Sequence, residues 1–361
     1  MNPFADKSPR PHREADFSRE EVGLANRNHG FALEGLRYDV TPVGMHYLLT
    51  HFDIPDISAD DFTLEIGGSV NNAISITLDE IMELPSLTQT VTLECAGNGR
   101  AHIKPRHPSM PWHNEAVGTA EWTGTSLNKV LEKAGLKAET VEIAFFGADA
   151  GFDRGIEHYY GRSLSPEHAM SEEVMLVYAM NGAPLLPQHG APLRMVVPGW
   201  YGMASVKWLN RIEALTAKFD GYQQAEGYHY REKAGDEGEP VRELRVKSLM
   251  VPPGIPDWYT RQRIVEAGPV ALQGRAWSGN GAKIAKVEVG VDGIWHEATL
   301  RSRKDTYAWT GWDFDWEATV GQHVLSCRAT DENGEIQPTD ARWDNSGLGN
   351  NGAQHVHVTV R

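Results

Sequence analysis

The most informative segment of this chain reads Thr92-Leu93-Glu94-Cys95-Ala96-Gly97-Asn98-Gly99-Arg100. It begins with a run typical of a β-strand and ends in a glycine-rich turn. Cys95 stands at the junction and is one of only two cysteines in the chain. A lone cysteine is most often a small buried apolar side chain. A cysteine between a strand and a turn is also well placed to present a thiolate, so the surrounding sequence has to decide between the two interpretations.

The residues that follow Cys95 concentrate positive charge in an otherwise acidic chain. The formal net charge is -15, which argues against a nucleic-acid partner because phosphate binding needs a basic surface. From Cys95 through Asn114, however, no residue is acidic, and the segment contains Arg100, His102, Lys104, Arg106, His107 and His113. Such a segment would draw an anion toward Cys95. The alternative is a solvated loop whose charges have no particular role.

Length and composition predict a globular protein of two domains. The chain has 361 residues, of which 40% are hydrophobic and 23% charged, and single cores rarely grow beyond roughly 250 to 300 residues. No apolar run approaches the roughly 18 residues that span a bilayer, so no membrane partner is expected. Residues 1–20 show neither an apolar signal core nor a twin-arginine pair. With two cysteines far apart in sequence, these features predict a cytoplasmic location.

The order of predicted elements gives an α+β fold. Residues 1–60 read as an extended lead-in with several prolines. Strand-like runs then alternate with short helices. Two are predicted to begin at the capping signals Thr77-Leu78-Asp79-Glu80 and Ser165-Pro166. A third is predicted over residues 126–134 from the helical spacing of its apolar residues and the C-cap Gly135. Asn181-Gly182 predicts the turn of a hairpin. After about residue 245 the pattern is almost purely strand and predicts an immunoglobulin-like sandwich, so the predicted domains are 1–245 and 246–361.

Several blocks of this chain resemble the sulfite oxidase family of molybdopterin-dependent oxidoreductases, in particular a bacterial, haem-free member. The first is Cys95-Ala96-Gly97-Asn98, followed shortly by an arginine. The other blocks occur in the family's order at residues 41–55, 111–112, 118–124, 160–161, 169–182, 188–199 and 205–209. The resemblance implies a molybdopterin-binding domain of mixed sheets with helices, followed by an immunoglobulin-like dimerisation domain. A homodimer is therefore expected.

The resemblance also implies a role for individual residues. Cys95 is the expected metal ligand, because a thiolate completes the coordination of a molybdenum held by the two sulfurs of the pterin. Polar and cationic groups suit the pterin and its phosphate, and the expected cofactor-binding residues are His51, Asp149, His189, Arg194, Ser205, Val206 and Lys207. The expected catalytic residues are Arg100, Trp112 and Tyr160.

The chain departs from the family at the expected substrate pocket. Sulfite is a compact anion, and its desolvation calls for fixed positive charge, which family members supply with several arginines. Arg100 matches one of them. Other residues stand where the family has arginines, namely Leu49, Gly99, Ala204 and Ser346. Lys104, Arg106 or His113 would compensate if they turned inward.

These features predict an enzyme that contains the molybdenum cofactor without haem and transfers an oxygen atom. By the family's usual reaction it oxidises sulfite to sulfate and passes electrons to an external acceptor. One alternative keeps the cofactor but changes the small anionic substrate to an S-oxide or another oxyanion, as the missing arginines would permit. A second alternative is a cofactor-free sandwich protein whose loops bind a partner.

Overall fold

The computed structural model describes residues 17–361 and has the predicted α+β architecture. The prediction for residues 1–20 concerns mainly residues 1–16, which lie outside the described residues. No helix in the described part of the chain is long and apolar enough to cross a membrane.

Two sheets of five strands each form the first part of the molecule. One is a mixed sheet of order β2-β1-β10-β5-β6, in which only β1 and β10 pair in parallel. The other is antiparallel, of order β3-β4-β7-β8, with β9 also paired to β7. In chain order the strands are β1 (Thr63–Gly68), β2 (Ile74–Thr77), β3 (Ser86–Glu94), β4 (Val117–Ser126), β5 (Glu142–Asp153), β6 (Ile156–Leu164), β7 (Met175–Met180), β8 (Ala183–Pro184), β9 (Arg194–Val196) and β10 (Leu209–Leu215).

The predicted helix starts and the predicted hairpin are confirmed. Thr77 and Glu80 form a capping box, and the Ser165 side chain accepts a hydrogen bond from the His168 N–H. Asn181 and Gly182 adopt positive φ angles of 52° and 76° between β7 and β8, as a type I′ turn requires. The α-helices are α1 (Arg19–Arg27), α2 (Leu78–Met82), α3 (Leu127–Ala134) and α4 (Pro166–Ala169). Shorter 3₁₀ segments span Leu33–Arg37, Val43–Met45, Arg100–His102, Pro187–His189 and Gly202–Ala204. A short π-helix spans Gln223–Gly227.

The predicted extended lead-in is wrong over α1. Ser18 caps this helix, and its hydroxyl and the Glu21 carboxylate form a second capping box. The serine and glutamate have the spacing of that motif. The prolines of the surrounding segment concealed it.

Two packed sheets form the C-terminal part, as expected for a sandwich. Their orders are β13-β16-β20-β19 and β14-β15-β22-β21-β17-β18, and a separate hairpin pairs β11 with β12. Trp312, Val289 and Leu325 belong to the buried cluster of this part. The strands are β11 (His229–Tyr230), β12 (Glu239–Pro240), β13 (Lys247–Met250), β14 (Ile255–Pro256), β15 (Arg263–Val265), β16 (Gly268–Trp277), β17 (Ile284–Val291), β18 (Ile294–Glu297), β19 (Thr299–Leu300), β20 (Thr310–Ala318), β21 (Gly321–Asp331) and β22 (Gln354–Val360).

The N-terminal and C-terminal parts share a continuous hydrophobic core. Leu249, Trp277 and Trp309 belong to the same buried cluster as Leu36 and Tyr201. This contact fixes the loops of the C-terminal part against those around Cys95. The predicted domain boundary between residues 245 and 246 stays a prediction.

Candidate active site

Cys95 lies immediately after β3, in a loop held by backbone hydrogen bonds. Its N–H donates to the Ala116 carbonyl at 2.9 Å, and the Asn98 N–H donates to the Cys95 carbonyl at the same distance. The Gly97 N–H lies 3.4 Å from the Cys95 sulfur. Burial raises the pKa of the Cys95 thiol, and the Arg100 guanidinium opposes that rise. The loop thus holds a thiol in a fixed position beside a positive charge.

The Cys95 side chain lines a cavity that opens to solvent. Eight of the predicted site residues line it, and they come from segments far apart in sequence. These residues are His51, Cys95, Asp149, Tyr160, His189, Arg194, Ser205 and Lys207. The fold therefore brings together the predicted metal ligand, most of the predicted cofactor-binding residues and one predicted catalytic residue.

Two cationic side chains lie in the cavity wall, the buried Arg194 and the half-buried Lys207. Lys207 donates to the carbonyls of Leu49 and Gln188 at 2.9 and 3.0 Å. Arg194 donates to the carbonyls of His189 and Ser205 at 2.9 and 3.2 Å. Burial lowers the pKa of Lys207 to about 7 and that of Arg194 to about 10; the Arg194 charge adds to the shift at Lys207. A positive charge in this position destabilises the folded protein until an anion binds beside it.

The wall also contains two histidines that are uncharged near pH 7 and one carboxylate, Asp149. Burial lowers the pKa of His51 and of His189 to about 3, so both imidazoles are neutral near pH 7. Asp149 lies where the pairing of β5 and β6 shifts register, and burial raises its pKa to about 6. One carboxylate against two cations leaves this lining short of negative charge.

Tyr160 presents a phenol to the same cavity. Its hydroxyl donates to the Met203 carbonyl at 2.7 Å and accepts a hydrogen bond from Arg162 Nε at 3.3 Å. Its ring lies 4.8 Å from the ring of His51, measured between centroids. These contacts hold the phenol in one orientation.

Three predicted site residues do not line the cavity. Arg100 is buried nearby and donates to the carbonyls of Ser346 and Met110 at 2.9 and 3.0 Å. Trp112 packs in a small buried cluster with Cys95. Val206 is fully buried, and its N–H and carbonyl bond to backbone groups. These three residues are buried outside the cavity lining in this structure.

None of the three basic side chains that would have compensated lines the cavity. Arg106 forms an ion pair with Glu21 and stacks on Phe17. Lys104 and His113 are exposed. The missing arginines are not replaced from this loop.

Of the altered positions, Gly99 has a steric reason for its residue type, whereas Leu49 and Ser346 form hydrogen bonds through their backbone carbonyls. Gly99 has a φ of 88°, and an added Cβ would lie 2.9 Å from the Asn350 side-chain nitrogen. A larger side chain would be strained there. Leu49 lines the cavity and accepts the hydrogen bond of Lys207 through its carbonyl. Ser346 likewise accepts from Arg100 through its backbone.

Sequence reasoning missed other residues of the lining, chiefly His46, Tyr47, Met203, Trp208 and Tyr228. Tyr228 was hardest to foresee, because Gly, Glu and Pro accumulate between Asp220 and Pro256, a composition that reads as a linker. Its hydroxyl lies 3.0 Å from His51 Nε2. Its position follows from tertiary packing.

The residues present fit a molybdopterin. A single thiol stands at the cavity with neutral imidazoles and a serine hydroxyl, and the two cations lack sufficient counter-charge. A pterin that carries a phosphate and a metal already bound to sulfur would use each of these groups.

Comparisons with known proteins agree on the type of protein. The family description "Oxidoreductase molybdopterin binding domain" matches residues 51–223, and "Mo-co oxidoreductase dimerisation domain" matches residues 239–361. Mitochondrial sulfite oxidase of Macaca fascicularis is 33% identical over 89% of this chain and 62% of its own length. A nitrate reductase [NADH] of Solanum lycopersicum is 32% identical over 92% of this chain and 39% of its own length.

A solved structure covers the whole chain. The sulfane dehydrogenase SoxCD of Paracoccus pantotrophus superposes with a TM-score of 0.80 at 25% identity, and the match covers 100% of this chain and 97% of that chain. The chain spans less than two thirds of the length of the curated relatives named above.

Proposed function

Because the chain belongs to the sulfite oxidase family of molybdopterin-dependent oxidoreductases, we propose that it oxidises sulfite to sulfate by oxygen-atom transfer. The observation that carries the proposal is the cavity whose lining includes a buried thiol, the buried Arg194 and the half-buried Lys207. When bound, the molybdenum cofactor supplies two-electron oxygen-atom transfer.

Each part of the lining has a distinct task in this proposal. Cys95 holds the metal through its thiolate, and Arg100 stabilises that negative charge. His51, His189 and the Ser205 hydroxyl bond the pterin, and the cations bind its phosphate. Tyr160 and the buried wall orient the substrate and exclude water.

A second candidate is the same cofactor acting on another oxyanion, such as nitrate, or on an S-oxide. The observation that favours it is the uncharged Leu49 in the lining. The nitrate reductases match this chain at nearly the same identity as the sulfite oxidases.

Steady-state kinetics separate the two candidates. The protein should be purified from a host that makes the cofactor and assayed for sulfite-dependent reduction of ferricyanide. In parallel, nitrate and dimethyl sulfoxide are tested for oxidation of reduced viologen. Saturable turnover with sulfite supports the proposal. Turnover only in the viologen assay, by molybdenum-loaded protein, would replace it with the second candidate.

The electron acceptor in the proposal is external to the described chain. We place the protein in the reducing cytoplasm, because both cysteines are buried free thiols.

A homodimer through the C-terminal part is also proposed. Trp258 and Tyr259 project from the loop between β14 and β15 and are 86% and 91% exposed, and large exposed aromatics are typical of interfaces. The double change Trp258→Ser with Tyr259→Ser is expected to shift a dimer toward monomer in analytical ultracentrifugation. Phe152→Ser is the matched control on the N-terminal part, at 68% exposure. A double variant that sediments like wild type would contradict this interface.

Cofactor uptake is expected to depend on pH through Lys207. With a pKa of about 7, Lys207 is charged below that pH and neutral above it. An anionic pterin should therefore bind the cofactor-free protein several-fold more weakly at about pH 8.5 than at about pH 6.5. Fluorescence titration with molybdopterin measures this change. Lys207→Met should flatten the dependence, and a variant with the slope of wild type would contradict the assignment.

A further inference from the structure

A buried arginine stands directly behind the cavity wall. Arg162 on β6 is 3% exposed and does not line the cavity. Its Nε donates to the Tyr160 hydroxyl at 3.3 Å, and its Nη1 donates to the Gln223 carbonyl at 3.0 Å. The guanidinium carbon lies 4.2 Å from the ring centroid of Tyr228 and 5.4 Å from that of Tyr160. One cation thus contacts two phenols of the wall.

The charge of Arg162 is not neutralised by the groups that hold it. Its hydrogen bonds go to a phenol and a carbonyl, and Nη2 is buried without a hydrogen-bond partner within residues 17–361. A buried charge is costly unless it is paired. An anion on the cavity side of Tyr160 and Tyr228 would lower that cost, because Coulomb attraction is strong where water is excluded.

The two tyrosines lie between this charge and the cavity. Both line the cavity, and the Tyr228 hydroxyl meets His51 Nε2 at 3.0 Å. Burial raises the pKa of both phenols, so both carry protons near pH 7. The Tyr160 hydroxyl donates its proton to the Met203 carbonyl, which leaves the Tyr228 hydroxyl as the donor available to an anion. Hydrogen-bond networks in such sites polarise one another, which strengthens donors next to a cation.

We propose that Arg162 is the positioning residue for oxyanion recognition, and that it acts through Tyr160 and through Tyr228, which contacts the substrate. It holds both rings and supplies the positive potential at a wall where Leu49 carries no charge. The inference rests on the proposed function, since it concerns the substrate of the same cavity. It assigns a positioning role to Arg162, a residue outside the set predicted from the sequence.

Equilibrium binding of inorganic sulfate to the holoenzyme tests the proposal without turnover. Arg162→Gln is expected to raise the sulfate dissociation constant about tenfold or more, the effect of weakening one charge-assisted contact. The KM for sulfite should rise by a similar factor, with a smaller change in kcat. Arg162→Lys should restore part of the loss. Molybdenum content, measured on each sample, should stay at the wild-type level.

Arg211→Gln is the matched control. Arg211 also stacks on an aromatic ring, 3.7 Å from the centroid of Phe146, but it is exposed and pairs with Glu213 at 2.6 Å. Its replacement should leave the sulfate dissociation constant unchanged. If Arg162→Gln does not fold, Tyr228→Phe takes its place, because it keeps the ring and removes the hydroxyl. It should also weaken sulfate binding.

The outcomes separate this inference from the proposed function. Sulfate binding that depends on Arg162, in an enzyme that ignores sulfite, would support the inference and overturn the proposed substrate. Equal sulfate dissociation constants for wild type and Arg162→Gln at equal molybdenum content would overturn the inference. So would an unchanged constant in Tyr228→Phe, or a wild-type enzyme that binds no sulfate.

Discussion

Replacing Cys95 by serine is expected to reduce turnover below detection, whichever substrate the enzyme uses. The thiol is a soft ligand with an ordinary pKa of about 8.5, whereas a serine hydroxyl is hard and remains protonated. The loop backbone makes no hydrogen bond that requires the sulfur, apart from the Gly97 N–H at 3.4 Å. The variant should therefore fold while its metal loses the thiolate. Activity and the sulfur-to-molybdenum absorption band are the measurements.

Cys327→Ser is the matched control for this change. Cys327 is the other buried free cysteine and lies on β21 in the core of the C-terminal part. Its substitution should leave turnover close to wild type per molybdenum bound. Equal activity of Cys95→Ser and wild type would refute the ligand assignment.

Among the substitutions considered, replacing Lys247 by methionine is expected to lower the free energy of unfolding the most. Lys247 Nζ lies 2.8 Å from Glu94 Oε1, and both side chains are only 1% exposed. Breaking one partner of a buried pair leaves an uncompensated charge and costs about 3 to 5 kcal/mol. Trp277 and Asn98 still donate to the Glu94 carboxylate, each at 2.9 Å. The loss should therefore fall near the lower end of that range in urea unfolding.

The double variant Lys247→Met with Glu94→Gln should recover most of that loss, because no charge is then left buried. Lys304→Met is the surface control, since Lys304 and Glu121 are 48% and 41% exposed. It should cost no more than about 1 kcal/mol. A Lys247→Met variant as stable as Lys304→Met would show that the buried pair does not stabilise the contact between the C-terminal part and the cysteine loop.

This ion pair links the C-terminal part of the chain to the cysteine loop. Glu94 directly precedes Cys95, and Lys247 also donates to the Asn350 carbonyl at 2.8 Å. The Asn350 side chain in turn donates to the Gly99 carbonyl at 2.8 Å. These contacts hold the cysteine loop at Glu94, which precedes Cys95, and at Gly99, which follows it. Loss of the pair should loosen the cysteine loop as well as the core.

Local motifs were predictable from the sequence because their structure depends on neighbours in the chain. The capping box at Thr77 needs only the glutamate three residues later, and the turn at Asn181-Gly182 needs only residues that accept positive φ. The cavity residues Arg194 and Lys207 were predicted through the resemblance, because they belong to ordered blocks. Their burial and lowered pKa values came from the structure.

Contacts between distant segments were not predictable. Arg106 pairs with Glu21 of α1, and neither residue alone indicates the other. Arg162 looks like an ordinary surface charge in the sequence, yet β6 carries it behind the wall of the cavity. Tyr228 reaches the same wall from a segment that reads as a linker. In all three cases, the position of the side chain depends on packing between segments far apart in sequence.

The central claim is that this chain holds a molybdenum cofactor through Cys95. Metal analysis and fluorescence of the released pterin, on protein purified from a host that makes the cofactor, test it most directly. We expect close to one molybdenum and one pterin per chain in wild type, with much of the pterin lost in Arg194→Gln. Purified, folded protein that contains neither molybdenum nor pterin would contradict the claim.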